Sequence, residues 1–201
     1  MSNTREHILG VSFKLFLQKN FKEVTMKEIV EKTGISKGAF YHHFQSKEEL
    51  FLEVLHNALG SVSTVFMKIN KDSLYQFYHE YFDYYQKMSS LYLLEDSEEG
   101  IGSYDLNIFT LFFEGFKLFP DFQKNLHECM NIELNAWKEV IQNARAKGEI
   151  RSQMNDEHIA KMFIYSSDGI GMHNIILKGN SKSASDTLID LWDSFYEDLK
   201  R

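Results

Sequence analysis

Residues that break helices or cross-link chains are scarce in this sequence. Proline occurs once, glycine eleven times and cysteine once in 201 residues. Because proline and glycine interrupt regular helices, their scarcity favours long, unbroken helices. The single cysteine, Cys129, excludes an intrachain disulfide and is typical of a protein from a reducing cytoplasm.

Segments that would place the protein at a membrane are also missing. The first ten residues, MSNTREHILG, have no apolar signal core, and no run approaches the roughly 20 apolar residues of a membrane span. We therefore expect a soluble, cytoplasmic protein with no membrane partner.

Positive charge is in short supply, with 22 Lys and Arg against 29 Asp and Glu and a formal net charge of −7. Its distribution is uneven. Residues 1–57 carry eight basic and seven acidic side chains, a net of +1, whereas residues 58–201 carry 14 and 22, a net of −8. Only the amino-terminal part tolerates a phosphate polymer electrostatically, and there the placement of single lysines matters more than net charge.

Apolar residues make up 43% of the chain and aromatic residues 14%, enough for a folded protein with a substantial core. They recur at helical spacing in segments separated by capping residues, glycines and polar stretches. The expected fold is all-α, with nine helices near residues 4–19, 25–33, 36–44, 47–70, 72–91, 104–118, 120–147, 155–177 and 183–199. Residues 95–100 and 179–182 break the pattern and are predicted to be loops.

The densest set of structural signals lies in residues 25–50. A capping box opens one helix at Thr25, and Gly34 ends it, since glycine readily takes the left-handed conformation of a helix cap. Ser36 caps a helix of about two turns, and a second capping box opens a long helix at Ser46. Two short helices joined by a tight turn are typical of a helix-turn-helix, which places its second helix in the DNA major groove.

The short helix, residues 36–44, has two faces. Phe40 and Phe44 lie four residues apart and should be core. The opposite face carries a cation, a glycine and two hydrogen-bonding rings: Lys37, Gly38, Tyr41 and His42. Glycine near a helix start lets the backbone approach DNA closely, and the amino ends of three helices offer N–H groups to phosphates.

Residues 4–58 resemble the DNA-binding head of the TetR family of transcriptional repressors. The resemblance covers about a quarter of the chain and rests on many residues in register: Ile8, Leu15 and Phe16; Thr25, Ile29 and Val30; the run from Gly34 to Gly38; Phe40, Tyr41, His43 and Phe44; and Lys47, Glu48, Leu50 and Phe51. Thr33 departs slightly, because the family usually has alanine before that glycine.

The resemblance implies roles for single residues. Base edges would be approached by Lys37, Gly38, Ala39 and Tyr41. Phosphates would be held by Thr25, Tyr41, His42, His43 and Lys47, and Ser36, the cap of the reading helix, completes the predicted DNA-binding set. Residues 1–50 would form the helix-turn-helix domain, and residues 51–201 a helical ligand-binding and dimerisation domain.

The resemblance also implies partners. Members of the family are homodimers that read a palindromic operator in double-stranded DNA, and a small-molecule inducer releases them. Dimerisation also makes physical sense, because one reading helix covers only a few base pairs and a two-fold axis supplies two half-sites.

Aromatic side chains are concentrated between residues 60 and 122, and many are tyrosines whose hydroxyls need partners when buried. Such rings suit the wall of a ligand cavity, although a core with tyrosines at its rim is the alternative. For a small, largely apolar or aromatic ligand we expect contacts from Phe66, Tyr78, Tyr81, Phe109, Phe113, Trp137 and His173.

The last helix carries an apolar stripe. In the TetR family the last two helices of each subunit form a four-helix bundle with those of the second, which predicts dimer contacts by Leu188, Leu191, Trp192 and Phe195. The same stripe could instead face the core of its own chain. Asp168, a carboxylate among apolar turns, needs a partner, and this could be a ligand or a neighbouring chain.

Motifs of catalysis and cofactor binding are missing: the sequence has no G-x-S-x-G, H-E-x-x-H, P-loop or G-x-G-x-x-G. His42 and His43 are adjacent on a helix, so they diverge by about 100° and do not easily chelate a metal together. We expect no enzyme activity, no cofactor and no metal site.

The predicted function is a ligand-responsive, DNA-binding transcriptional regulator, which the resemblance implies to be a repressor. Its rivals are a small-molecule-binding helical module with a vestigial head, an architectural protein that coats DNA without a ligand, and a helical enzyme.

Overall fold

The structure is a computed structural model, and it describes residues 2–92, 104–176 and 181–201. Within these ranges the chain forms nine α-helices and no strand, as the sequence predicts. The helices are α1 (Ser2–Gln18), α2 (Met26–Thr33), α3 (Lys37–His43), α4 (Lys47–Lys68), α5 (Leu74–Tyr92), α6 (Tyr104–Leu118), α7 (Phe122–Ala146), α8 (Asp156–Ile176) and α9 (Ser181–Leu199).

Local hydrogen bonds determine where α2 begins and ends. The Thr25 hydroxyl accepts a hydrogen bond from the Glu28 N–H at 3.1 Å, and Gly34 ends the helix with φ 67°. The capping box expected at Thr25 is only half formed, because the Glu28 carboxylate accepts a hydrogen bond from Lys19 Nζ at 2.5 Å instead. This ion pair connects the end of α1 to α2.

Several helix bounds differ by a few residues from the prediction. α7 begins at Phe122, two residues after Pro120, because a turn closed by the Phe122 N–H and the Phe119 carbonyl at 2.9 Å comes first. α9 begins at Ser181, inside the predicted loop 179–182. The rest of that loop and the predicted loop 95–100 lie outside the described residues.

The chain divides into two compact units, of which the first consists of Met1–Ser61 and Asn107–His127. It contains the whole predicted head, residues 1–50, together with more of α4 and most of α6. In its core the Phe51 ring lies 4.7 Å from that of Phe16 and 4.9 Å from that of Phe21. Gly115 lets α6 approach α4 closely, since a Cβ atom added at Gly115 would lie 2.8 Å from a methyl group of Leu55 on α4.

The second unit consists of Val62–Leu106 and Glu128–Arg201. Its described part has a hydrophobic core around Trp137, which stacks on Phe163 at 4.7 Å and meets Trp192 at 5.6 Å. Gly148, with φ 75°, makes the tight turn predicted after α7. The turn brings the Glu149 carboxylate to the start of α5, where it accepts hydrogen bonds from backbone N–H groups at 3.0 and 3.1 Å.

Among the described helices, α4 is long and apolar enough to cross a membrane by length and composition, which the sequence reading did not anticipate. Core helices of soluble proteins meet the same test. In the first unit, Leu50, Phe51 and Leu55 of α4 are completely buried. Part of the apolar character of α4 is therefore explained by burial in a core.

Candidate functional site

The short helix α3 separates a buried face from an exposed one. Phe40 and Phe44 are 0% exposed, and the centroids of their rings are 6.4 Å apart. On the other side Lys37, Gly38, Ala39 and His42 are exposed, whereas Tyr41 and His43 are half-buried. This division agrees with the faces expected from helical spacing. It leaves a cation and two hydrogen-bonding rings on or near the surface.

Contacts with α1 and α4 hold the buried side of α3. The guanidinium of Arg5 lies 5.1 Å from the centroid of the Phe44 ring and also pairs with the Glu53 carboxylate of α4. Ser36 caps α3, since its hydroxyl accepts a hydrogen bond from the Ala39 N–H at 3.3 Å. The amino end of α3 is therefore fixed by its own sequence, and its orientation by aromatic residues in the core.

Gly38 stands on the exposed face with open space beside it. A Cβ atom added there would meet no protein atom within 4 Å. Its backbone is helical, unlike that of Gly34 and Gly148, which have positive φ. Neither backbone conformation nor crowding inside the protein requires glycine at this position. The surface beside Gly38 is therefore open to a partner from outside.

Lys47 has a different surrounding from the one expected for a phosphate ligand. Its Nζ donates hydrogen bonds of 2.7 Å to the backbone carbonyls of Phe21 and Val24, and it lies 4.3 Å from the Phe21 ring centroid. An ammonium group has three donors, so two are used inside the protein. Lys47 therefore holds the connection between α1 and α2 against the start of α4.

The same connection has a second partner that sequence reasoning missed. The Phe21 N–H donates a hydrogen bond of 2.8 Å to the Glu114 carboxylate of α6. The two residues are 93 positions apart, and no local pattern marks Glu114 as a partner. The segment before α2 is thus bonded to both α4 and α6.

In the second unit, several predicted ligand-binding residues lie together. Phe66 stacks on Tyr81 at 5.1 Å, and Tyr81 lies 6.2 Å from Trp137. Phe66, Tyr78 and Trp137 are at most 1% exposed, so they form core, whereas Tyr81 is half-buried. The Tyr78 hydroxyl donates a 2.6 Å hydrogen bond to Asp193, and its burial raises the pKa of the phenol above the ordinary value.

The other predicted ligand-binding residues are placed differently. Phe109 and Phe113 belong to the first unit, where Phe113 is 51% exposed. His173 belongs to the second unit and is exposed on α8. The structure does not collect all seven residues in one unit, and it leaves Tyr81 as a partly accessible ring beside Trp137.

Two carboxylates in the second unit stand out. Glu133 lies one turn before Trp137 on α7, and burial raises its pKa to about 7, with a contribution from the charge of Asp168 on α8. Desolvation also raises the pKa of Asp168, although its side chain is exposed. Sequence reasoning had singled out Asp168 but missed Glu133. The sequence did contain a signal for Glu133, because residues 129, 133 and 137 recur at helical spacing on one inward face of α7.

The predicted dimer stripe is split by the structure. Leu188 and Trp192 are 5% and 1% exposed and belong to the core of their own chain, where Trp192 Nε1 donates to Ser166 Oγ at 2.9 Å. Phe195 is half-buried, and Leu191 is 47% exposed. Further large apolar side chains are exposed along α8: Met162, Tyr165, Met172 and Ile176.

Within the part of the chain that the structure describes, no group of three or more His, Cys, Asp or Glu side chains is placed to hold a metal ion. His42 and His43 have ring centroids 5.4 Å apart and are inclined to each other by 65°.

Fold and site together define a helix-turn-helix protein whose reading helix α3 presents its polar face outward. Residues 8–54 match the family model for bacterial regulatory proteins of the tetR family. The amino-terminal head is therefore of the TetR type, and the chain as a whole is similar to transcriptional regulators of that family.

Similar proteins fall into two groups by how much of the chain they match. The HTH-type transcriptional regulator YerO of Bacillus subtilis is 40% identical over 72 residues, which are 36% of this chain and 25% of that protein. This match spans only a quarter of the relative's length. The relatives matched in this way are HTH-type transcriptional regulators or repressors.

Solved structures match over nearly the whole chain. A transcriptional regulator of the TetR/AcrR family has a TM-score of 0.71 and 19% identity, covering 98% of this chain and 100% of its own. A transcriptional regulator from Saccharomonospora viridis in complex with choline has a TM-score of 0.63 and 15% identity, covering 98% and 97%. At these identities the likeness shows the fold.

Proposed function

We propose that this protein is a ligand-responsive repressor that binds a palindromic DNA operator as a homodimer. The observation that carries the proposal is the division of α3 into two faces. Phe40 and Phe44 are completely buried, while Lys37, Gly38 and their exposed neighbours face solvent without a packing role. A short, rigidly anchored helix with such an outer face suits the major groove.

The residues of the outer face divide by chemistry. Lys37 can donate to base acceptors or phosphates, and its Nζ lies 5.9 Å from the Tyr41 ring centroid. Gly38 and Ala39 present backbone and a single methyl group, which permit close approach. Thr25, Ser36, His42 and His43 are proposed phosphate contacts. Lys47 is proposed to act mainly by holding the backbone before α2, with one donor left for a phosphate.

Dimerisation is proposed to use the exposed apolar side chains of α8 and α9. Leu191 on α9 is 47% exposed, and on α8 Tyr165 and Ile176 are 59% and 69% exposed. Exposed large apolar side chains clustered on neighbouring elements are typical of interaction surfaces. Of the stripe predicted from the sequence, Leu191 and Phe195 are the members left to contact a second copy.

A small molecule is proposed to bind in the second unit and to shift the protein away from its DNA-binding state. Such a ligand must bind one conformation better than the other, and DNA affinity falls by that difference. A solved relative of the same fold is in complex with choline, which supports a small-molecule site in this architecture. α4, whose residues belong to both units, is the proposed lever. Cytoplasmic localisation is part of this proposal.

The test is selection of an operator from a randomised duplex library, followed by fluorescence anisotropy with the full chain. Lys37→Ala and Tyr41→Ala should each weaken operator binding by about tenfold, since one good contact to DNA contributes about 1–3 kcal/mol. Lys68→Ala, which removes an exposed lysine at the end of α4, is the charge-matched control.

Two outcomes would contradict the proposal. If no duplex sequence is enriched at any ionic strength, the head is vestigial and the protein is a small-molecule-binding module. If Lys37→Ala and Tyr41→Ala bind the selected duplex as well as the parent, α3 does not read the DNA.

A further inference from the structure

Glu133 occupies a position on α7 where the helix otherwise buries its side chains. Cys129, one turn before it, and Trp137, one turn after it, are 7% and 0% exposed. The same face continues with Val140, Ile141 and Ala144, all 0% exposed. A carboxylate in this row is desolvated by its neighbours, and a desolvated charge costs free energy unless it gains a partner.

No cationic partner is present among the described residues. Neither Glu133 nor Asp168 forms an ion pair there, unlike Asp156, which pairs with Arg145 at 2.8 Å. Asp168 approaches Glu133 from α8 with a second negative charge. A second acidic group beside Glu133, with no cation between them, raises the pKa of Glu133 and reduces stability.

The indole of Trp137 adds an independent observation. Its side chain is 0% exposed, and its Nε1 has no hydrogen-bond partner of normal geometry. The N–H lies beside Glu133, where it favours the charged form of that carboxyl group. The other tryptophan, Trp192, has its N–H satisfied by Ser166 at 2.9 Å. The Trp137 N–H is thus beside Glu133 without a hydrogen bond of normal geometry, and this carboxylate has no cationic partner among the described residues.

We propose that Glu133 and Asp168, with the aromatic residues around Trp137, form a binding site for an organic cation. The cation would neutralise both carboxylates, and the ionised Glu133 would accept the Trp137 N–H. Tyr81, half-buried and 6.2 Å from Trp137, supplies an aromatic ring that favours an ammonium group over a neutral one. This inference rests on the proposed function and specifies the chemistry of its small molecule.

Two further features agree with a cation. Asp168 is exposed to solvent, so a dissolved ligand can reach its carboxylate. Residues 58–201 carry a net charge of −8, which attracts cations and repels anions. A hard metal ion is a poorer candidate, because it needs more oxygen ligands than two carboxylates offer.

The experiment compares two molecules of the same shape. The cation choline and the neutral 3,3-dimethylbutan-1-ol differ by a nitrogen in place of a carbon, and the hydroxyl group of neither is ionised at the pH of the experiment. Isothermal titration calorimetry uses the full chain at about pH 8, where Glu133 is charged because its pKa is about 7. The cation should bind at least about tenfold more tightly than the neutral molecule.

Variants test the residues. Glu133→Gln and Asp168→Asn each keep the shape of the side chain and remove one charge. Each should weaken binding of the cation by about tenfold and leave the affinity for the neutral molecule unchanged. Glu128→Gln, at an exposed position on α7, is the matched control and should change neither affinity. Thermal melting confirms that each variant is folded.

Equal binding of the two molecules, an unchanged preference in Glu133→Gln, or no cation binding up to about 3 mM would each overturn the proposal, since millimolar affinity is already weak. These measurements contain no DNA, so they are independent of operator binding. If the cation binds as expected but does not change the affinity for the selected duplex, the site stands and the inducer role in the proposed function fails.

Discussion

Replacing Gly38 with alanine separates the stability of α3 from its use in DNA binding. Gly38 is exposed in a helix, and an added Cβ meets no protein atom within 4 Å. Alanine loses less backbone entropy than glycine on helix formation, and the difference reaches about 1 kcal/mol in a helix interior. Because Gly38 is the second residue of α3, about 0.5 kcal/mol is a better expectation.

The two effects of this change have opposite signs. A stabilisation of about 0.5 kcal/mol should raise the apparent Tm by about 1–2 °C in a chain of this size. At the same time, a methyl group between α3 and the groove must displace one of them, and overpacking of this kind costs about 1–3 kcal/mol. Operator affinity should therefore fall by about tenfold or more.

The assay pairs thermal melting by circular dichroism with anisotropy on the selected operator. Gly10→Ala is the matched control, because Gly10 is also an exposed glycine in a helix with nothing within 4 Å of an added Cβ. It should raise Tm and leave DNA affinity unchanged. If Gly38→Ala is stabilised and binds the operator as well as the parent, the backbone at Gly38 does not approach DNA and the reasoning is refuted.

Three other predictions follow from named contacts. Lys47→Met removes the hydrogen bonds to the Phe21 and Val24 carbonyls and should destabilise the protein by about 1–3 kcal/mol in urea unfolding. Lys22→Met, at an exposed position, is the control and should have little effect. Equal stability of the two variants would contradict the role of Lys47 in holding the segment before α2. Glu133 has a native pKa of about 7 against an ordinary value of 4.5, so the native state holds this proton more tightly than the unfolded state. The stabilisation that comes from the bound proton is fully present below about pH 4.5 and is lost as pH rises through about 7. Glu133→Gln should therefore raise Tm at about pH 8 and change it little at about pH 4.5. The groups that face Glu133 are Asp168 from α8 and, on its own helix, Cys129 and Trp137. An equal shift of Tm at both pH values would exclude titration of Glu133 as the cause. Leu191→Glu replaces an apolar side chain that is 47% exposed with a charged one, and it should shift a homodimer toward monomer in light scattering. Asp190→Asn, at the neighbouring exposed position, is the control. An unchanged molecular mass of Leu191→Glu would place the interface elsewhere.

Local features were predictable because they depend on residues close in the chain. The Thr25 and Ser36 caps bond to N–H groups three residues later, and Gly34 takes the left-handed conformation that ends α2. The helical repeat of Phe40 and Phe44 determined which face of α3 is buried. The TetR resemblance and the all-α fold followed from such signals.

Partners far apart in the chain were not predictable in the same way. Glu28 was expected to complete a capping box and instead pairs with Lys19, because an ammonium group within reach is a stronger partner than a backbone N–H. Lys47 is a plausible phosphate ligand by position, but the carbonyls of Phe21 and Val24 lie within 2.7 Å of its ammonium group. Neither arrangement is visible in local spacing.

The sequence by itself determined the helices, their caps and the outward face of the reading helix, since hydrogen bonds over three or four residues and apolar spacing suffice for each of them. Tertiary structure decided which apolar stripes serve the core of the same chain: Leu188 and Trp192 are buried within it, and Leu191 is left exposed. Periodicity shows only that one side of a helix avoids water, whereas the partner that covers this side depends on the packing of distant segments. The same reason explains why Glu133, an ordinary residue in the sequence, became a desolvated carboxylate beside Trp137 and Asp168.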